Sequence, residues 1–427
     1  MAKIKDHPLR FDLVNELHAR PFPALSVPCH AVYVAIKEPE RAVSRDRGAD
    51  VAHLLALLDR YSCPHPQPGA THFSGSIGRH DLKWESHTEF VTYTAFGPGV
   101  SPRAFDPAEA DVFPEVWMAD APGGRLVSAL IRVEEMLEDE DAMLAKLDGW
   151  FVPESLAISR VVDGAAVIAG DFRIDPAGHM RFAVFVRKGT GQRRIGRIVQ
   201  RLCEVETYRA MSMLGLVRAR ALGANLNRLD PQLSTLISGM TGAAHPPEEV
   251  LQTLLEISAE LESLAVQFSF RFGATEAYEA IVTQRISVMR EARVQGRQTF
   301  GEFMMRRYDP AMRTVKSSEA RLRTMAERAT RAAELLRTRV DVERSAQNQR
   351  LLESMDARAD QQLRLQTTVE GLSVVAISYY AMNILSYVIY PVTDGFGLSK
   401  GWTMAVLAPL VILGVWYLVR RIRNRFD

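Results

Sequence analysis

A histidine flanked by two carboxylates occupies the stretch WESHTEF. If this stretch is a strand, Glu85, His87 and Glu89 project to one side of a sheet, because side chains alternate along a strand. An imidazole between two carboxylates can bind a transition metal. Further ligands would be needed, and Glu16 and His18 near the start of the chain could supply them. The alternative interpretation is a polar sheet face with His87 simply hydrogen-bonded, and it is favoured.

A second group contains six carboxylates within eight residues. Its members are Glu134, Glu135, Glu138, Asp139, Glu140 and Asp141. Oxygen ligands of this kind suit a hard divalent cation such as Mg²⁺ or Ca²⁺. A run of like charges is more often a solvated acidic face. The solvated face is the favoured interpretation, with a divalent cation as the alternative.

Glycines punctuate the run GTGQRRIG, at Gly189, Gly191 and Gly196. The run follows an apparent strand and precedes an apparent helix, which is the order of elements that cradles phosphate. Its spacing matches neither the dinucleotide fingerprint nor the P-loop. We therefore predict a plain strand-to-helix turn.

Catalytic signatures are missing from the sequence. We find no metalloprotease histidine pair on a helix, no nucleophile elbow and no kinase set. Cys63 and His65 are neighbours, but they stand too far from other ligands to indicate a catalytic dyad or a zinc site. The sequence therefore predicts no enzyme activity and identifies no cofactor.

The length and composition of the chain argue against several other classes of protein. A length of 427 residues indicates two or three compact units. The net charge of +1 argues against a general nucleic-acid binder, which needs a clear positive excess. Three scattered cysteines, Cys29, Cys63 and Cys203, suggest no disulfide framework and a reducing compartment. The N-terminus lacks the apolar core of a secretory signal, so we expect the body to stay in the cytoplasm.

Residues 1–190 predict a cytoplasmic mixed α/β domain. Short β-branched or aromatic runs, separated by loops rich in proline and glycine, occupy residues 31–36, 90–96, 126–133, 165–169 and 181–186. This pattern indicates a twisted sheet with helices packed on it.

Residues 191–366 predict a helical region. Apolar residues at three- and four-residue spacing indicate helices over 193–222 and 250–268. A third helix is predicted over 276–293, with Thr275 as its N-cap.

A long stalk helix is predicted over residues 317–366, which contain neither proline nor glycine. An apolar stripe follows one face, comprising Leu322, Met325, Ala329, Ala332, Leu336, Leu352, Met355, Ala359 and Leu363. A helix of about 75 Å cannot be stable alone. We expect it either to double back on the preceding helices or to pack against copies of itself as a coiled coil.

Residues 367–427 predict a C-terminal transmembrane hairpin. The runs 371–390 and 401–419 carry no charge, and each is about as long as a hydrocarbon core is thick. Residues 391–400 join them with turn-forming side chains. Aromatic residues lie near the run ends, as is typical of membrane interfaces, at Tyr387, Tyr390, Trp402, Trp416 and Tyr417.

Basic residues predict the orientation of this hairpin. Four arginines follow the second run, namely Arg420, Arg421, Arg423 and Arg425. The joining loop holds only Lys400 against Asp394. The positive-inside tendency then puts the C-terminus in the cytoplasm, and two passes put the N-terminal body there too.

Asn383 is the strongly polar amide deep within the first run. Polar groups in lipid favour helix–helix interfaces, where they can find a partner. We favour a role in self-association, with an ion-path ligand as the alternative.

Four stretches carry a family resemblance. They are HPLRFDLVNELHARPFPAL, WESHTEF, QRLCEVETYRAM and LLRTRVDVERSAQNQRLLESMDARADQQLRLQTTVEGLSVVAISYY. The chain resembles the bacterial uncharacterised membrane-anchored proteins known as domain-of-unknown-function family 3422. This resemblance covers nearly the whole chain and implies an inner-membrane protein, but no activity, substrate or catalytic residue.

The order of regions is also similar to that of CorA-type magnesium channels. Their signature, Gly-Met-Asn after a tyrosine, has a counterpart at Tyr380, Met382 and Asn383, where Ala381 replaces the glycine. The counterpart lies in the middle of its run, whereas the channel signature lies at the outer end of the first helix.

Two functional hypotheses follow. The first is a membrane-anchored structural or regulatory protein that forms homo-oligomers and presents its cytoplasmic domain to a partner, with the lipid bilayer as its other contact. The second is a CorA-like channel or transporter for a divalent cation, with Asn383 in the ion path.

Overall fold

The computed structural model describes residues 4–11, 13–14, 22–39, 45–240, 246–395 and 400–426. The chain divides into two compact units. The first consists of Met1–Gly242 and Gln252–Arg331, and the second of Ala243–Leu251 and Ala332–Asp427. The domain boundaries predicted at residues 190 and 366 stay predictions.

A single mixed sheet is the centre of the first unit. Its strands in the described ranges are β1 (Cys29–Lys37), β2 (His72–Ile77), β3 (His80–Ser86), β4 (Val91–Pro98), β5 (Gly124–Glu135), β6 (Ala157–Val161), β7 (Ala166–Gly170), β8 (Met180–Val186) and β9 (Ala292–Arg293). Their spatial order is β2-β3-β4-β1-β5-β8-β7-β6-β9. Only the β5–β8 pair among these neighbours is parallel. The predicted mixed α/β region is therefore confirmed.

One face of the sheet packs against short helices. These are α1 (Arg47–Arg60), a 3₁₀ helix at Pro107–Val112, α2 (Glu115–Ala119) and α3 (Glu140–Trp150). Leu54 and Leu57 of α1 join Val32 of β1 and Trp84 of β3 in one buried cluster. Burying a side chain of this size contributes about 1.5–3 kcal/mol, so this layer stabilises the sheet.

Four long helices and a short one of eight residues make up most of the rest of the described chain. They are α4 (Gln192–Gly239), α5 (Pro247–Met289), α6 (Phe300–Arg307), α7 (Asp309–Gly395) and α8 (Lys400–Phe426). The start of α4 covers the second face of the sheet, where the Tyr33 hydroxyl of β1 lies 2.5 Å from that of Thr207.

Helix α5 runs without a break through the point where the sequence predicted a new helix. Thr275 is therefore not an N-cap, and that prediction is wrong. Its side chain is buried against α4, and a Cβ atom at Gly215 would lie 2.2 Å from the Thr275 hydroxyl oxygen. Burial of a continuous apolar face outweighs a local capping signal.

The first part of α7 packs within the first unit. Leu322, Met325 and Ala329 are buried there. Arg321 forms an ion pair with Asp230 of α4 at 2.9 Å, and Lys316 forms one with Glu279 of α5 at 2.7 Å. This part of the predicted stalk therefore doubles back on the preceding helices.

In the second unit, Ala332 and Leu336 of α7 are still buried, but the later part of the apolar stripe is uncovered. Leu352, Met355 and Leu363 are 62%, 58% and 66% exposed. Within the described part of one chain, the three side chains therefore lack a covering partner.

Two helices are long and apolar enough to cross a membrane, one within Phe300–Ile389 and the other at Lys400–Ile422. Helix α7 continues to Gly395, five residues beyond the end predicted from the sequence. Residues 396–399 of the predicted turn lie outside the described residues.

Candidate functional site

The structure divides the three predicted ligands of WESHTEF between a strand and a turn. Glu85 lies in β3, which ends at Ser86. His87 and Glu89 lie in the turn to β4, where the His87 amide donates to the carbonyl of Phe90 at 2.9 Å. The expectation of one shared strand face is therefore wrong, because the chain reverses before the alternation can continue.

Glu89 joins this turn to helix α5. Its buried carboxylate accepts hydrogen bonds from the guanidinium of Arg271 and from the hydroxyl of Tyr278. Burial, together with the negative charge of Glu89, raises the pKa of Tyr278. Both carboxylate oxygens of Glu89 accept hydrogen bonds. These bonds stabilise the packing of the β3–β4 hairpin on α5.

Glu85 belongs to a different polar network, beneath helix α4. Lys83 lies 3.2 Å from the Glu85 carboxylate and donates to the Gln200 side chain at 3.0 Å. Gln200 in turn donates to Glu204 at 2.8 Å, and Glu204 pairs with Arg285. Lys83, Glu85, Gln200 and Glu204 border a cavity of about 40 Å³, which has room for a few water molecules.

Metal ligands do not converge in the part of the chain that the structure describes. No group of three His, Cys, Asp or Glu side chains there could hold a metal ion. Glu16 and His18, the proposed additional ligands, lie outside the described residues. Metal binding by Glu85, His87 and Glu89 stays a prediction.

The acidic run is spread over the end of β5 and the start of α3. Glu134 accepts from Arg132 at 2.5 Å and from Lys146. Burial favours a higher pKa for Glu134, but its hydrogen bonds to Lys146 and Arg132 outweigh burial and lower that pKa. Asp139 instead caps α3, accepting from the Asp141 amide at 3.0 Å.

The other members of the run also differ in their surroundings. Glu140 pairs with Arg160, while Glu135 and Glu138 are exposed. The carboxylates thus have separate partners instead of one common centre. A divalent cation at this run stays a prediction.

The glycines of GTGQRRIG have separate structural roles. Gly189 has a φ of +83°, a conformation that favours glycine. Gly191 is the N-cap residue of α4. Gly196 lies against the segment before β1, and a Cβ atom there would lie 1.9 Å from the Pro23 carbonyl oxygen. Packing explains Gly196 without a phosphate.

Within the C-terminal helices, the Asn383 amide donates to the Tyr379 carbonyl one turn earlier, at 3.2 Å. Arg420, Arg421, Arg423 and Arg425 lie in the last turns of α8. The Arg420 guanidinium lies 4.9 Å from the ring centre of Trp416. The predicted role of Asn383 in self-association or in an ion path stays a prediction.

A serine–histidine pair that sequence reasoning missed lines a groove on the α1–α3 side of the sheet. The Ser128 hydroxyl lies 2.7 Å from Nδ1 of His179, and both side chains are buried. Burial, and then the positive charge of Arg125, lower the pKa of His179. The groove has a volume of about 720 Å³, and its apolar lining includes Val32, Val34, Phe113 and Met118.

This pair does not extend to a catalytic triad within the described residues. The nearest carboxylate in sequence, Asp175, uses Oδ1 to accept from the backbone amides of Ala177 and His179, at 3.0 and 2.9 Å. A neutral imidazole held by Ser128 can instead exchange a hydrogen bond with a small molecule in the groove. Ser128 and His179 are 51 residues apart, so no local motif could have revealed them.

These features define a class of protein: a mixed α/β body, long helices and two C-terminal helices able to cross a membrane by length and composition. The chain belongs to the family described as protein of unknown function, DUF3422, whose model matches residues 5–426. The resemblance seen in the four sequence stretches is thereby confirmed. A comparison with curated proteins gave no match.

Proposed function

We propose that this protein is a membrane-anchored structural or regulatory protein that holds its α/β unit at the cytoplasmic surface of the inner membrane. The observation that carries the proposal is the exposure of the two apolar helices. Their most apolar 18-residue windows are only 6% and 0% buried. A core helix of a soluble protein would be mostly covered by its neighbours.

The exposed side chains in these helices are large. Leu372 and Tyr387 of α7 are 71% and 81% exposed, and Trp402 and Leu410 of α8 are 74% and 63% exposed. Leaving apolar surface in water costs about 25 cal/mol per Å². A lipid bilayer removes that cost, and a helix satisfies its own backbone hydrogen bonds there.

The arginines at the end of α8 support the orientation. Arg420 and Arg421 follow the last apolar turn directly, whereas the joining segment has only Lys400 as a basic residue. Basic residues favour the cytoplasmic side of a membrane. With two passes, the N-terminal unit lies on the same side as the tail.

The uncovered stripe of α7 supports self-association through a second copy of the chain. Leu352, Met355 and Leu363 recur at the spacing with which helices pair. Further along the same helix, Asn383 would supply a polar contact between copies inside the bilayer. Anchoring and self-association together describe a scaffold that presents its α/β unit to other molecules.

The test is extraction of bacterial membranes with alkaline carbonate. We expect the full-length protein to remain in the membrane pellet. An Ile384→Arg/Leu410→Arg variant should be found outside the pellet, because each arginine near a helix centre costs about 2.5–3.5 kcal/mol on insertion. A Val217→Arg control alters an apolar residue of α4 that is 63% exposed, and it should fractionate like the parent.

Complete release of the parent protein into the supernatant would overturn the proposal. The CorA-like alternative is tested separately by reconstitution. Uptake of Mg²⁺ into vesicles containing the protein would support a channel, and impermeable vesicles would support the scaffold.

A further inference from the structure

Four arginines line a cleft between helix α4 and the end of helix α5. Arg194, Arg197 and Arg201 follow α4 at spacings of three and four residues, which places them on one face. Arg290, directly after α5, completes the group. The cleft has a volume of about 560 Å³, and its other described lining residues are Val162, Ile198, Ser287 and Val288.

Positive charge in this cleft is only partly balanced. Asp163, outside the lining, lies 2.5 Å from Arg290 and 4.0 Å from Arg194. Within the described residues, Arg197 and Arg201 lack an ion pair closer than 4 Å. None of the described lining residues is acidic.

Several arginines elsewhere in the first unit each pair with a different carboxylate. Such pairs are Arg45–Asp50, Arg132–Glu134, Arg209–Glu206, Arg271–Glu89, Arg285–Glu204 and Arg321–Asp230. The chain as a whole has a net charge of only +1. In the cleft, by contrast, four arginines share a single ion-paired carboxylate among the described residues, that of Asp163.

Burial and neighbouring positive charges both disfavour the charged form of Arg201. Burial, and then the positive charges of Arg197, Arg285 and Arg290, lower the pKa of its guanidinium, while Glu204 opposes them. Like charges three or four residues apart destabilise a helix. An anion bound between these side chains would remove that repulsion.

We propose that this cleft binds an anion carrying two or more phosphate groups. Guanidinium groups offer paired N–H donors that match phosphate oxygens, so Arg197 and Arg201 each supply a two-pronged contact. Arg194 and Arg290 add positive charge from the two sides. The volume falls within the range of small-molecule sites.

The location in the fold is consistent with this chemistry. The cleft begins in the first turn of α4, whose N-cap residue is Gly191, which has no side chain that could cap the helix. The amino end of a helix carries a partial positive charge, which adds to that of the arginines. All the residues named belong to the first compact unit, so binding does not depend on the proposed anchor.

The test uses the full-length protein in phosphatidylcholine nanodiscs and titration calorimetry. The probes are inorganic phosphate, pyrophosphate and tripolyphosphate, and empty nanodiscs give the background. We expect affinity to increase with the number of phosphates and to fall with added salt. An Arg197→Gln/Arg201→Gln variant should bind tripolyphosphate at least about tenfold more weakly, since each charge-assisted contact contributes substantially to affinity.

Two further variants separate geometry from net charge. Arg197→Lys/Arg201→Lys keeps both charges but loses the paired donors, and its affinity should lie between those of the parent and the glutamine variant. Arg220→Gln/Arg323→Gln removes two exposed arginines outside the cleft, and it should bind like the parent. Absence of tripolyphosphate binding by the parent, or equal binding by the cleft and control variants, would overturn the proposal.

Nanodiscs containing cardiolipin, a lipid whose headgroup carries two phosphates, distinguish a lipid source of the anion from a soluble one. If lipid headgroups are the natural occupants, these discs should compete and weaken tripolyphosphate binding by the parent but not by the Arg197→Gln/Arg201→Gln variant. If a soluble anion is the occupant, binding by the parent should be the same in both kinds of disc. Either result is compatible with the site and identifies the source.

Discussion

At the scale of single residues, position 196 has room only for glycine, because the segment before β1 packs closely against it. The Pro23 carbonyl oxygen occupies the place of a Cβ atom there, at 1.9 Å. Gly223 lies in the same helix, and nothing would come within 4 Å of its Cβ atom. The two glycines therefore form a matched pair for substitution.

We expect Gly196→Ala to lower the free energy of unfolding by about 1–3 kcal/mol, because the added methyl group forces Pro23 away from α4. Gly223→Ala should raise it by about 0.5–1 kcal/mol, as alanine favours a helix over glycine. Denaturant unfolding of the two variants measures both changes. Equal effects of the two substitutions would contradict the assigned packing role.

Buried histidines connect the stability of the α/β unit to pH. Burial, then the charges of His30 and Arg79, lower the pKa of His80 to about 4, while Asp81 opposes this shift. The rings of His80 and His30 have their centres 5.5 Å apart. Burial also lowers the pKa of His53. These imidazoles are therefore neutral in the folded protein at pH values where an unfolded chain would protonate them.

We expect the free energy of unfolding to decrease as the pH falls from about 6.5 towards 4. In that interval the unfolded chain binds more protons than the folded one, so acid favours unfolding, by at most about 1.4 kcal/mol per pH unit for each proton. Above pH 6.5 this contribution is fully present. His80→Gln should make the dependence less steep, as measured by denaturant unfolding at several pH values. An identical slope in parent and variant would show that His80 does not contribute.

At the scale of elements, helix α7 has two parts with different surroundings. Its start is buried on α4 and α5 through residues such as Met325, whereas Met355 and Leu363 are largely exposed. The same apolar spacing thus serves packing within the chain in one part and, under the proposed function, packing between chains in the other.

Charges placed on the exposed stripe should therefore weaken self-association. We expect Met355→Glu/Leu363→Glu to lower the oligomer mass of the full-length protein, measured by light scattering in detergent, because burying an unpaired carboxylate is costly. Gln347→Glu/Gln361→Glu adds the same charge at exposed positions beside the stripe, and the oligomer should keep its mass. An unchanged mass in the stripe variant would exclude this face as the interface.

At the scale of the whole molecule, the proposed topology depends on the distribution of basic residues. A reporter fused after Asp427 should be active on the cytoplasmic side, because the four tail arginines favour that side. Changing Arg420, Arg421, Arg423 and Arg425 to glutamine should produce a mixed orientation. A periplasmic reporter on the parent protein would contradict the arrangement of body and tail.

Local sequence was sufficient for a large part of the fold. The runs at 126–133 and 181–186 became β5 and β8, because β-branched and aromatic side chains suit a buried strand wherever it lies in the sheet. The apolar character of 371–390 and 401–419 is likewise a property of the chain itself. Two predictions from local sequence were wrong. Thr275 does not cap a helix, because the buried face of α5 continues through it. His87 does not share a strand face with Glu85, because the chain reverses after Ser86.

By itself, then, the sequence indicated five of the nine described strands, the helical character of the region after residue 191, the two apolar helices and the family. Only the tertiary structure brought Ser128 beside His179, Glu89 beside Arg271, and Arg290 into a cleft with Arg197 and Arg201. Secondary structure and hydropathy arise from neighbours along the chain, which spacing reveals. Sites arise from residues far apart in sequence, and their meeting depends on how the sheet and helices pack.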